Sequence, residues 1–281
     1  MRMRKTFKAG LSLFKIRVAE GLQYRMAALS GATISIFWGL IEIVVLTVFF
    51  TYGHNASYSV NGMTLTQVVS YTWVAQMMVG LMLMSAVDGD LMAKITSGDV
   101  GVELCRPLDL YWHWFARTAA SKASIVGQRG LLVIVFAAAL SLVGFESIGL
   151  GLPHSPLNFI LFLTSFFGAF LFGASFGMLL TSIRMGISWG DGPVNVIFVF
   201  AGILSGGYLP LQIWPDFMQA FLRFQPFAAS LDTPVRLYVG SISVADGLVS
   251  MSFQVIWIVV FAASGKIIMK SKIKNIVVQG G

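Results

Sequence analysis

Charge is what this sequence has least of. Aspartate, glutamate, lysine and arginine make up 11% of its 281 residues, against roughly 25% in soluble domains. Hydrophobic residues make up 57%, and the mean hydropathy is +0.81. An ordinary soluble fold is excluded. The single cysteine, Cys105, excludes an internal disulfide and a multi-cysteine metal site, so no metal is expected. No lysine stands in the G-x-x-x-x-G-K-[ST] frame of a phosphate-binding loop, and H-E-x-x-H does not occur. The chain is therefore expected to bind no cofactor and to hydrolyse no ATP itself. Alternation over about 10 residues, the mark of a membrane strand, is also missing. The basic start leads into an amphipathic segment, not into the short apolar run and small-residue cleavage site of a signal peptide.

What is present is a series of apolar runs close to the ~20 residues that cross a bilayer as a helix. They predict an all-α polytopic membrane protein with one domain over 1–281. Six spans fall near 28–52, 66–87, 122–145, 157–183, 190–209 and 247–269, the third beginning as early as Tyr111. The fifth is short and interrupted by Pro193, Gly202, Gly206 and Gly207. Ahead of them, residues 1–25 repeat Phe7, Leu11, Phe14, Val18 and Leu22 at spacings of three and four, leaving lysines and arginines for the other side. That pattern predicts an amphipathic interfacial helix on anionic lipid. A mitochondrial targeting peptide has similar composition.

Lysine and arginine are unevenly placed. Seven lie in residues 1–25, five in the second connection and the helix end beside it, one at Arg184 and four in the tail. Only Arg223 and Arg236 remain for the opposite side. This bias predicts a cell-membrane protein with both termini cytoplasmic. Charge gathered at the flanks of apolar runs argues against a nucleic-acid partner.

The longest polar passage, Thr96 to Arg117, separates the second and third spans. Thr96 and Asp99 have capping-box spacing, which predicts a helix start there. Pro107 ends that helix and biases Arg106 out of the helical region. The result is a short helix in the 96–107 region; an ordinary polar connector is the alternative. On the other side, residues 210–246 are too long for a plain turn. Pro215 suits a first helical position, and Phe217, Phe221 and Phe224 recur at helical spacing. Pro226 ends that piece, and a second runs around Ser230 to Val239. A re-entrant helical hairpin fits this pattern, with a structured outer loop as the alternative.

Two intramembrane features remain. Gly173-Ala-Ser175-Phe-Gly177 matches the G-x-S-x-G of hydrolases, but it lies inside an apolar span and also spells G-x-x-x-G, a close-packing motif. Glu42 falls within the first span, where an ionised group is expensive. It is a candidate pathway residue, with a hydrogen-bonded carboxyl at a helix interface as the structural alternative. Coupling a cation or proton through Glu42 would make the chain a secondary transporter.

The ordered layout resembles the permeases of the type-2 ABC transporter family. The closest local matches are Ile95–Arg117, where Gly101 is followed by Leu104-Cys105-Arg106-Pro107-Leu108 much as that family's glycine is followed by leucine-arginine-proline-leucine, and Ser205–Phe227, with glycines leading to proline and a helix closing on proline-phenylalanine. The resemblance implies export of an amphipathic drug, peptide, lipid or glycan by two permeases, alike or unlike. These would stand on separate ABC ATPase subunits that bind the ATP and Mg. It also implies that Thr96, Asp99, Val100, Glu103, Leu104, Arg106 and Pro107 couple to the ATPase. Gly206, Gly207, Pro210, Pro215, Phe217 and Phe221 would form the outer gate.

Overall fold

Long apolar runs with few breakers fold as helices, and the computed structural model is almost wholly helical. It describes residues 2–52, 59–60, 62–82, 89–97, 100–104, 109–185 and 192–274. The first helices are α1 (Arg2–Gly21), α2 (Arg25–Tyr52) and α3 (Leu65–Met82), with a two-residue hairpin, β1 (Ser59–Val60) and β2 (Met63–Thr64), before α3. Then come α4 (Gly89–Ser97), α5 (Val100–Leu104), α6 (Leu110–Ile125), a π-helical turn (Val126–Gly130) and α7 (Leu131–Leu142). The remainder is α8 (Pro156–Arg184), α9 (Gly192–Leu204), α10 (Asp216–Phe224), α11 (Asp232–Val239) and α12 (Val244–Ile273).

Several helix starts are written in the sequence. Asp109, Ser155 and Ser243 cap α6, α8 and α12, each side chain accepting a hydrogen bond from the amide three residues on. Pro156 opens α8, where its missing amide hydrogen costs nothing.

Four helices are long and apolar enough to cross a membrane: α2, the continuous run Leu110–Leu142, α8 and α12. The expected third span thus starts near its early limit, because Asp109 supplies the cap at that point. Of the other two expected spans, α9 has 13 residues, ending where Gly206 takes a left-handed turn (φ 82°). The other, α3, has 18 residues and is the hub of the bundle. From Val68 to Leu81 each of its residues is buried except the half-buried Met77. It is packed by α2, the π turn, α7, α8 and α11.

Close approach to α8 depends on Gly173. A Cβ there would stand 2.7 Å from the Leu81 carbonyl oxygen. Ser175 is buried and donates to the Leu171 carbonyl of its own helix at 2.8 Å. The G-x-S-x-G run is therefore a packing surface.

The N-terminal helix α1 lies along α6. Phe14 and Val18 of the expected stripe are half-buried, but Leu11 and Leu22 are exposed, and the Phe7 side chain lies outside the description. The contact has rotated because backbone polar groups join it. Ser124 donates to the Val18 carbonyl (3.4 Å) and Gln128 to the Gly21 carbonyl (2.9 Å).

Candidate functional site

Within the 96–107 region, the end of α4 and all of α5 form part of a foot under the bundle. A helix does not begin at Thr96, as the capping-box spacing implied. Thr96 sits in the last turn of α4, and α5 starts afresh at Val100. A helix already running from Gly89 passes through the proposed cap. Asp99, Cys105, Arg106 and Pro107 lie outside the described residues.

On α5, Val100 and Glu103 stand three residues apart, and both are buried. Val100 joins a cluster with Leu91, Leu110, Tyr111, Trp114, Met178 and Met269, which ties α5 to α4, α6, α8 and α12. Glu103 bonds Lys94 through one oxygen and the Trp114 indole through the other. Burial pushes the Glu103 carboxyl up, but those two hydrogen bonds, together with the positive charge of Lys94 and His113 nearby, hold the group below its usual range. Glu103 thus anchors α5 to α4 and α6. Leu104 points the other way, 42% exposed.

Two further ties brace the foot. Asp109 holds Lys266 of α12 at 3.0 Å, and that ammonium lies 5.4 Å above the Trp112 ring. Arg117 of α6 bonds Asp90 of α4 at 2.6 Å.

Basic residues read as charges at span flanks turn out to be internal. Lys122 is 2% exposed and donates to the Leu81 carbonyl at the end of α3 (2.6 Å), where a cation suits the helix dipole. Arg129, within the π turn, donates to the Ser35 hydroxyl at 3.0 Å. For Arg117, also buried, a signal existed. Arg117, Ser121, Ser124 and Gln128 recur at spacings of four and three, a polar stripe on an apolar span.

The opposite end carries the 210–246 region in the expected order. Pro215 occupies the cap position, one residue before the helix it was expected to open, and α10 follows. Pro210 caps a short 3-10 turn, Leu211–Ile213. Phe217 and Phe221 are exposed, Phe217 by 82%. The polar side of α10 lines a cavity of about 450 Å³ with Gln212 and Arg236.

A buried carboxylate fastens this end to α3, beside the bond from Gln67 to the Val239 carbonyl (3.1 Å). Asp232 accepts from Tyr71 (3.0 Å) and Gln212 (3.4 Å) and pairs with Arg236 (3.7 Å). The Tyr71 hydroxyl also lies 3.2 Å from the Gly206 carbonyl, and a Cβ on Gly206 would come within 2.4 Å of that hydroxyl. Gly207 closes the same turn by donating to the Gly202 carbonyl. Neither Tyr71 nor Asp232 stood out in the sequence.

Glu42 faces α3 from α2. Its Oε2 accepts from Gln76 at 3.3 Å, while Oε1 is buried without a hydrogen-bond partner among the described residues. It is the structural alternative in position, with one oxygen left over. Glu42, the foot and the 210–246 region are not brought together; they are three separate places along the bundle.

A family model described as "ABC-2 family transporter protein" matches residues 36–280. No curated protein and no solved structure matches the chain.

Proposed function

We propose, from the premise that the chain belongs to the ABC-2 transporter family, that it is a permease subunit for ATP-driven export. The family makes it a membrane component of an ABC transporter whose ATPase is a separate chain. The finer reading is ours. Two such permeases, alike or unlike, form a pathway with six crossings each, α3 and α9 completing the four long helices. The foot faces the cytoplasm, and the hairpin of α10 and α11 gates the outer side of the cell membrane. Asp99, Arg106 and Pro107 join Leu104 in contacting the motor. The cargo is amphipathic.

The observation that carries this reading is the seating of α5. A five-residue helix has little stability of its own, yet here it is clamped by Val100 and Glu103 beneath three long helices. That clamp leaves Leu104 outward, available to a partner. A push on α5 would reach α6, α8 and α12 together. Copurification from native membranes tests the assembly. An ATPase should come down with the chain, and Leu104→Asp should uncouple hydrolysis from transport while membrane insertion persists. Unchanged transport in that variant would remove the coupling role.

A second reading has one observation in its favour. The Glu42 oxygen without a partner among the described residues is the kind of intramembrane group that cation or proton coupling uses. Under the permease reading, Glu42→Gln alters transport with the ATPase still bound. Transport by the chain without any ATPase, lost in the same variant, would instead make it a secondary transporter.

A further inference from the structure

The depth at which α10 is fastened follows from α12. Within that helix, Asp246 and Lys266 stand twenty residues apart with no charged residue between them. That is about 30 Å along a helix, the thickness of a hydrocarbon core. In a bilayer crossed by α12, Phe253, Gln254 and Trp257 therefore fall in its middle third. These are the residues that hold α10 and the turn after it. The Trp257 indole donates to the Phe224 carbonyl at 3.2 Å, and the Phe224 and Phe253 rings meet edge-on with centroids 5.4 Å apart. Gln254 donates to the Ala229 carbonyl at 2.7 Å and to the Ser165 carbonyl of α8 at 3.0 Å. The C-terminal end of α10 is thus tied to α12 near the level of the bilayer midplane.

Around its axis, α10 divides into three sectors at helical spacing. Met218 and Leu222 pack inward with Leu204, Leu211 and Ala228. Phe217, Phe221 and Phe224 are all more than half exposed. Through Phe253 they continue onto the apolar outer face of α12, where Val249 and Ile256 are exposed to the same degree. The third sector carries Asp216, Gln219, Ala220 and Arg223, which line the cavity of about 450 Å³. Asp216 and Arg223 are exposed and make no ion pair among the described residues, whereas Arg236 in the same cavity is held by Asp232.

That third sector is incompatible with lipid. An arginine facing hydrocarbon near the midplane is expensive, and snorkelling cannot bring the Arg223 guanidinium to headgroups about 15 Å away. Polar groups at such depth are covered by protein or line a water-filled space. In the single chain this sector stands open.

We propose that the Asp216–Gln219–Ala220–Arg223 sector of α10 is one wall of a water-filled vestibule at the outer end of the transport pathway, with Phe217, Phe221 and Phe224 turned to lipid. This deepens the permease reading and rests on it, because the facing wall is the second permease. Cargo released through the hairpin meets Asp216, Gln219 and Arg223 before bulk water.

Ala220 and Phe221 are neighbours at one depth on different sectors, so they make the test. In a chain freed of its own thiol by Cys105→Ser, Ala220→Cys, Arg223→Cys and Phe221→Cys are treated with a charged, membrane-impermeant thiol reagent. Native membrane fragments open on both faces are used, so the result does not depend on which end is cytoplasmic. Ala220→Cys and Arg223→Cys should react at least about tenfold faster than Phe221→Cys, since apolar surroundings raise a thiol's pKa and deplete the reactive thiolate. A nitroxide on Phe221→Cys should be relaxed more by oxygen than by a water-soluble nickel chelate, and one on Ala220→Cys the reverse. Uniformly slow reaction would overturn the vestibule. Uniformly fast reaction, or a Phe221→Cys nitroxide that favours the nickel chelate, would overturn the depth. Neither measurement uses transport or an ATPase, so the permease reading fails separately, by the absence of a copurifying ATPase.

Discussion

Glu103 shows how one side chain decides what a short helix can do. Its carboxylate is buried, and losing it would leave the Trp114 indole hydrogen without an acceptor. A buried donor left unmatched costs about 1–3 kcal/mol. Glu103→Ala should lower the unfolding free energy of the detergent-solubilised chain by about that amount, measured by thermal or denaturant melting. The pH dependence has a definite sign. A carboxyl held below its ordinary value of 4.5 contributes stability that is full above that value, and the contribution fades as pH falls through the lowered one. Wild type should therefore lose stability on acidification below 4.5 more steeply than Glu103→Gln. Parallel curves would mean that Lys94 and Trp114 do not hold the carboxylate. At the other end, Tyr71→Phe removes a donor from Asp232 inside the protein. It should cost about 1–3 kcal/mol and loosen the hairpin, seen as faster amide exchange at Gly206 and Asp232.

At the scale of elements, the packing of α8 on α3 leaves no room for a side chain at position 173. Gly173→Leu should destabilise the bundle by about 1–3 kcal/mol, the usual cost of overpacking, or more. Wild-type melting of that variant would refute the close approach. Elements were also where the sequence was most readable. Apolar length gave α2, α8 and α12 to within a few residues, and the prolines bounding α10 placed the hairpin helices. It was less readable where a local signal competed with its context. Thr96 has the spacing of a cap, but nothing in four residues says that a helix is already running through it. The stripe on α1 was found, but its orientation depends on hydrogen bonds from Ser124 and Gln128, more than a hundred residues away. Tyr71 and Asp232 lie 161 residues apart, and neither is unusual until the chain folds.

For the whole molecule, the decisive question is which end faces the cytoplasm. Cys105 adjoins α5 in sequence and is the only thiol, so it reports on that end without background. A membrane-impermeant thiol reagent should label it in inverted vesicles and not in intact cells. Labelling from outside would reverse the orientation and, with it, the roles assigned to the foot and the hairpin. The charge bias behind that orientation includes Arg117, Lys122 and Arg129, which the structure draws into the protein. Seven lysines and arginines in residues 1–25 still mark the same end.

Tolerance to substitution should follow a map that hydropathy would draw the wrong way round. The helix that falls short of the span criteria, α3, is surrounded by protein from Val68 to Leu81, with Met77 alone half-buried. The far greasier α2 turns Ile34, Trp38 and Val45 outward, where one apolar residue can stand in for another. A tryptophan scan should find nearly every position in the middle of α3 damaging and a broad stripe of α2 indifferent. The least replaceable stretch of this chain is the one its composition advertises least.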